Sequence, residues 1–86
     1  MKQFKDKVAV ITGGASGIGL ALARRAAAEG MQLVLADIEQ GPLAAAAAEL
    51  KGAGARVLTV RTDVSRAAEV ENLAAQTLQA FGGAHL

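Results

Sequence analysis

Residues 7–19 read KVAVITGGASGIG, and this stretch decides the fold. Lys7 to Thr12 (KVAVIT) is a continuous apolar run of strand length, as expected for a parallel strand covered on both faces. It runs straight into Gly13 and Gly14. Ile18 to Glu29 then carries Ile18, Ala21, Leu22 and Ala26 at helical spacing, with Gly30 placed as the C-terminal stop. A strand, a glycine loop and a helix in that order let backbone N–H groups and the positive helix N-terminus face an anion, and glycines admit phosphates close to the backbone because no Cβ stands in the way. The loop is predicted to hold a pyrophosphate.

Outward from this stretch, short β-branched runs alternate with alanine-rich helical patterns, and glycine punctuates each switch. Met31 to Ala36 reads as the second strand. The second helix is expected to begin at Gly41-Pro42, since proline at the first helical position removes an N–H that would be unpaired there anyway, and to stop by Gly52 and Gly54. Arg56 to Val60 makes the third strand. Ser65 is placed as the N-cap of a third helix whose Val70, Leu73, Ala74, Thr77, Leu78 and Phe81 fall on one stripe. The run Ala44 to Ala48 is read as helix, because alanine is the best helix former and lets a helix sit close on a sheet. Strands and helices alternating over short loops predict a parallel sheet, and right-handed crossovers give the strand order 3-2-1, the first two helices on one face and the third on the other. The first strand then lies at an edge, with a ladder of donors and acceptors that proteins normally pair or cover.

Composition narrows the function. Of 86 residues 52% are apolar, but 21 are alanine, which leaves 24 of Val, Ile, Leu, Met and Phe for a core. A chain of this size buries only roughly 60% of its unfolded surface, so a single domain over 1–86 is the most it supports. With no cysteine there is no disulfide framework or thiolate metal site, and one histidine argues against a protein-only zinc or iron site; a cytoplasmic location is expected. Nine basic and eight acidic side chains are mixed along the chain, with 2% aromatics and no basic run, which disfavours nucleic acid as a partner. Met1 to Lys7 holds three lysines, but the apolar stretch behind it, Val8 to Ile11, is too short for a signal peptide or a membrane span.

The glycine spacing is more specific than the glycine count. No Gly-x-Gly-x-x-Gly frame fits, because Leu22 stands where the third glycine would follow Gly17 and Gly19, and Leu20 follows Gly19 where a Walker loop needs lysine. Thr-Gly-x-x-x-Gly-x-Gly fits, as Thr12 to Gly19. TGGASGIG after a strand resembles the cofactor loop of the short-chain dehydrogenase/reductase family. The likeness extends to Asp37, which ends the second strand 18 positions after Gly19, and to Asp63-Val64 just beyond the third strand. These features span nearly the whole chain. The resemblance implies a Rossmann-like, doubly wound α/β parallel sheet, of which this β-α-β-α-β-α portion would be an incomplete domain.

The resemblance also implies a set of cofactor-binding residues: Gly13, Ser16, Gly17, Ile18 and Gly19 in the loop, Asp37 and Ile38 after the second strand, and Asp63 and Val64 after the third. Asp37 sits where open α/β sheets bind ligands, and it either accepts from both adenosine ribose hydroxyls or caps the following loop. A 2′-phosphate there would bring about two negative charges beside it, each costing about 4 kcal/mol at 4 Å and an effective dielectric of about 20, while tenfold in affinity needs only about 1.4. No Arg or Lys lies between Gly13 and Gly19 to offset this, so NAD is expected over NADP. By resemblance Asp63 reaches the adenine amino group and the Val64 backbone reads the ring; the bland alternative is a helix-start aspartate. Ile38 flanks the adenosine or simply packs, and Ser16 donates to phosphate or caps the first helix. Thr12 is expected to stabilise the loop. Arg24 and Arg25 read as solvated helix surface, and His85 as a terminal residue without a role.

Family members transfer hydride with a tyrosine, a lysine four residues later and a serine, all beyond the region covered here, and this chain has no tyrosine. The family's Asn-Asn-Ala-Gly segment on the fourth strand is also absent. The chain thus reads as an N-terminal piece, predicted neither to catalyse a redox reaction nor to form a stable monomer by itself. The favoured function is the NAD-binding portion of an oxidoreductase acting on a secondary alcohol or ketone, a homo-oligomer at full length. The alternatives are a noncatalytic nucleotide-binding module and an adenosylmethionine-dependent methyltransferase, against which Thr12-Gly13 with three residues before Gly17 speaks.

Overall fold

A computed structural model describes residues 7–15 and 17–81. The chain alternates β1 (Val8–Thr12), α1 (Gly17–Ala28), β2 (Gln32–Asp37), α2 (Gln40–Gly52), β3 (Val57–Arg61) and α3 (Ala67–Phe81). The three strands are parallel in the order β1-β2-β3, with Val10 opposite Val34 and Val34 opposite Leu58. The expected 3-2-1 order is therefore present, and β1 is an edge of this sheet. β2 is central, and its Leu33, Val34, Leu35 and Ala36 are all buried, which is why its sequence is continuously apolar instead of alternating.

Alternation along the strands divides the core in two. Leu33 and Leu35 point to one face and pack with Ala9, with Ala23 of α1, and with Leu43, Ala46 and Leu50 of α2. Val34 and Ala36 point to the other, with Val8, Val60 and Leu73 of α3. The predicted division, two helices on one face and one on the other, is thus observed. Alanines at 23 and 46 let their helices lie close on the leucines of β2.

α1 and α2 end alike. Gly30 and Gly54 are in the left-handed region, their amides donate back to Ala27 and Lys51, and the next residues, Met31 and Ala55, donate to Ala26 and Leu50. These are Schellman closures, and Met31 and Ala55 pack against the core as the motif requires.

Two helix starts differ from expectation. α2 begins at Gln40, so Pro42 is the third helical residue; it is tolerated because the first helical bond, from Leu43 N–H to the Glu39 carbonyl, lies after it. α3 begins at Ala67, and Ser65 does not cap it: the Ser65 amide and hydroxyl both donate to Asp63 Oδ1, at 3.0 and 2.6 Å. The aspartate is the better acceptor and closes an Asx turn ahead of the helix. The α3 stripe is only partly covered. Leu73 and Thr77 are buried, the Thr77 hydroxyl donating to the Leu73 carbonyl, and Arg56 lies over the half-buried Phe81 ring at 5.1 Å, whereas Val70 and Leu78 are exposed. Among the described residues no helix is long and apolar enough to cross a membrane.

Candidate functional site

The carboxyl ends of β1, β2 and β3 open onto a cleft of about 210 Å³. Its wall contains Gly13, Asp37, Ile38, Asp63 and Val64, five residues that the sequence placed in three separate segments, together with Ala36 and Thr62. Main-chain bonds just beyond β1 and β3 tie their loops to the end of β2. The Gly14 amide donates to the Ala36 carbonyl at 3.2 Å and the Thr62 amide to the Asp37 carbonyl at 2.9 Å. Each loop therefore leaves the sheet at the same height. Larger and similar hollows exist elsewhere, about 200 Å³ between α1 and α2 and about 250 Å³ beside Gly30 and Arg56, but they lie away from the glycine loop.

Asp37 ties the cleft together. Its Oδ2 accepts the Ala15 amide of the glycine loop at 3.2 Å, and its Oδ1 accepts the Glu39 amide at 3.2 Å. The loop-capping alternative is thus real, but two bonds leave about two of the roughly four acceptor positions of a carboxylate for a ligand. Capping and ligand binding do not compete.

Gly17, Ile18 and Gly19 form the first turn of α1 and do not line the cleft; Ile18 is 80% exposed. Gly13 and Gly17 have φ of +67° and +59°, the left-handed region where a side chain is strained. A Cβ on Gly19 would overlap the Gly13 carbonyl. The last glycine of the pattern therefore lets the loop fold onto its own helix. Ser16 lies outside the described residues.

Asp63 is bound on both sides. The Ser65 hydroxyl, and then the Ser65 amide, hold its carboxyl below the usual carboxylate range, so it is an acceptor at neutral pH. Its own amide donates to Glu69 Oε1 at 2.8 Å. Arg61 Nε donates to the Ile38 carbonyl at 3.1 Å. Neither Glu69 nor Arg61, nor the Ala15 amide, is marked by the sequence pattern. Arg24, read as solvated surface, is exposed but makes a two-bond ion pair with Glu49 across α1 and α2, at 2.6 and 2.9 Å.

A model of the short chain dehydrogenase family matches residues 7–86. The chain belongs to that family. The 2,5-dichloro-2,5-cyclohexadiene-1,4-diol dehydrogenase of Sphingobium indicum is 46% identical over 81 residues, which are 94% of this chain and 32% of that protein. Levodione reductase of Leifsonia aquatica is 48% identical over 82 residues, 93% of this chain and 31% of that protein. Among solved structures, a short chain dehydrogenase/reductase from Burkholderia phymatum in complex with NAD superposes with a TM-score of 0.95 at 53% identity, over 99% of this chain and 30% of that one. L-sorbose reductase from Gluconobacter frateurii, complexed with NADPH and L-sorbose, gives 0.91 at 44% identity, over 94% of this chain and 31% of that one. The chain thus spans about a third of the length of these relatives, at their N-terminal end. Membership in this family sets aside the methyltransferase reading.

Proposed function

We propose that this chain is the NAD-binding portion of a dehydrogenase that moves a hydride between the nicotinamide cofactor and a secondary alcohol or ketone. The observation that carries it is the meeting of Gly13, Asp37, Ile38, Asp63 and Val64 at one cleft where three parallel strands end. The donor set fits an adenine dinucleotide. Asp37 retains acceptor capacity for two ribose hydroxyls, and ionised Asp63 suits the adenine amino group. Ile38 and Val64 are exposed apolar side chains in the cleft wall, contributed by different loops and suited to pack on a ring. Gly13, Gly17, Ile18 and Gly19 serve the pyrophosphate through main-chain N–H groups and the N-terminus of α1, and Ser16 through its hydroxyl.

When bound, the nicotinamide supplies the hydride chemistry. The residues of this chain would hold the adenosine and pyrophosphate of the cofactor, and none of them is catalytic. Asp37 favours NAD over NADP by repelling a 2′-phosphate and by losing its ribose bonds to such a ligand. The chain is one part of a larger domain, in a full-length protein that is a cytoplasmic homo-oligomer with a small alcohol or ketone as substrate.

Incubating the full-length protein with NAD and a panel of secondary alcohols tests this reading, with nicotinamide absorbance as the readout. Reduction of NAD with at least one alcohol is expected, and slower reduction of NADP. NADH binding with no turnover of any alcohol or ketone would instead favour a noncatalytic nucleotide-binding module.

A further inference from the structure

The cleft wall takes Ile38 from the loop after β2 and Asp63 and Val64 from the loop after β3, so the relative position of the two loops sets the room available to a ring beside them. A chain of contacts runs from one loop to the other. Arg61 Nε donates to the Ile38 carbonyl at 3.1 Å, and Arg61 Nη1 lies 3.9 Å from Glu69 Oε1. That same oxygen accepts the Asp63 amide at 2.8 Å, and Glu69 Oε2 is 3.4 Å from Arg66 Nε. Arg61 is opposite Asp37 in the β2–β3 register, and Glu69 stands in the first turn of α3. We propose that Arg61 and Glu69 form a clip that sets the width of the adenine end of the cleft, and that both are positioning residues for cofactor binding which touch no ligand themselves.

The clip differs from ordinary surface pairing in what it holds. Arg24–Glu49 joins the exposed sides of two helices, whereas Arg61 and Glu69 each hold a main-chain group of a cleft-lining residue, the Ile38 carbonyl and the Asp63 amide. A side chain lost from either removes a restraint on the loop itself. The charge of Glu69 matters less than its acceptor oxygen, because a hydrogen bond from a main-chain amide survives in an amide side chain. Glu69→Gln should therefore retain most of the function, and Glu69→Ala should not.

The inference rests on assigning the cleft to the adenosine half of NAD, and the experiment separates the two. In the full-length protein, kcat and KM are measured for NAD and for its hypoxanthine analogue, which lacks the adenine amino donor. The wild type should prefer NAD. Glu69→Ala and Arg61→Leu should raise KM for NAD by about fivefold, as expected for loss of roughly one net hydrogen bond. They should also shrink the preference over the analogue and leave kcat unchanged, while Glu69→Gln stays near wild type. If the wild type prefers NAD but both variants keep its KM and its base preference, with at most a lower melting temperature, the clip is overturned and the cleft assignment stands. A fall in kcat at constant KM overturns the clip equally. A wild type indifferent to the adenine amino group overturns the assignment of Asp63, and the clip with it.

Discussion

The two faces of the sheet are finished to different degrees. On the α1/α2 face, Ala23, Leu33, Leu35 and Leu43 are fully buried, and a bidentate Arg24–Glu49 pair joins the two helices from outside. On the α3 face, a helix of 15 residues buries only Leu73 and Thr77, while Val70 and Leu78 stand 40% and 59% exposed. The glycine loop and Asp37 depend on the well-packed side, but Asp63 is oriented by Glu69 from the loosely docked helix. The Asp37 side of the cleft thus adjoins the more fully covered face, and the Asp63 side rests on a helix with fewer buried residues among those described.

Truncation on each face should show the largest difference. Leu35→Ala removes a side chain with no exposure from among Ala9, Ala23 and Leu43, and should cost about 2–5 kcal/mol, read from urea unfolding of the full-length protein. Leu78→Ala should stay within about 0.5 kcal/mol if the rest of the full-length protein leaves α3 uncovered there, and should cost more if the rest of the domain packs on it. Equal costs at the two positions would mean that the faces are equally packed.

Next in size is Gly19→Ala. Its new methyl group meets the Gly13 carbonyl, so the loop must shift, at a cost of about 1–3 kcal/mol in stability and with weaker cofactor binding as the readout specific to the loop. A variant that binds NADH as the wild type does would show that the loop–helix contact is not needed for the site.

The smallest expected effect is electrostatic. The Arg24 side chain, by hydrogen bonding, holds the Glu49 carboxyl below its ordinary range. A group with a lowered folded-state pKa stabilises the protein above its unfolded-state value, and loses that contribution as pH falls through the folded-state value. Glu49→Gln should therefore lower the urea midpoint slightly at pH 7, and the gap should begin to shrink as pH falls below the ordinary glutamate value of about 4.3, close once the lowered folded-state value is passed, and shrink in high salt. A gap that persists in acid would mean that the pair acts by packing.

The sequence carries much of the fold directly, because the switches have local causes: a buried strand reads as a continuous apolar run in Leu33 to Ala36, and the stops of α1 and α2 as Gly30 and Gly54, each followed by an apolar residue. Asp37 and Asp63 were legible because position at a strand end is itself the signal. What escaped had no such mark. The Ala15 amide is main chain, and main-chain donors have no residue signature. Glu69 is one acid among several until the turn at Asp63 aims an amide at it. A serine before a helix looks like a cap, and only geometry reveals the stronger acceptor two residues earlier. Periodicity in α3 likewise shows an apolar stripe without showing how much of it is covered.

In the proposed function Asp37 links the glycine loop to the ribose of NAD. That link is tested most directly by the dissociation constants of NADH and NADPH for the full-length wild type and Asp37→Ala. The wild type should bind NADH at least about tenfold more tightly, and the variant should lose NADH affinity while its rejection of NADPH relaxes. An unchanged ratio of the two constants in Asp37→Ala would contradict the assignment.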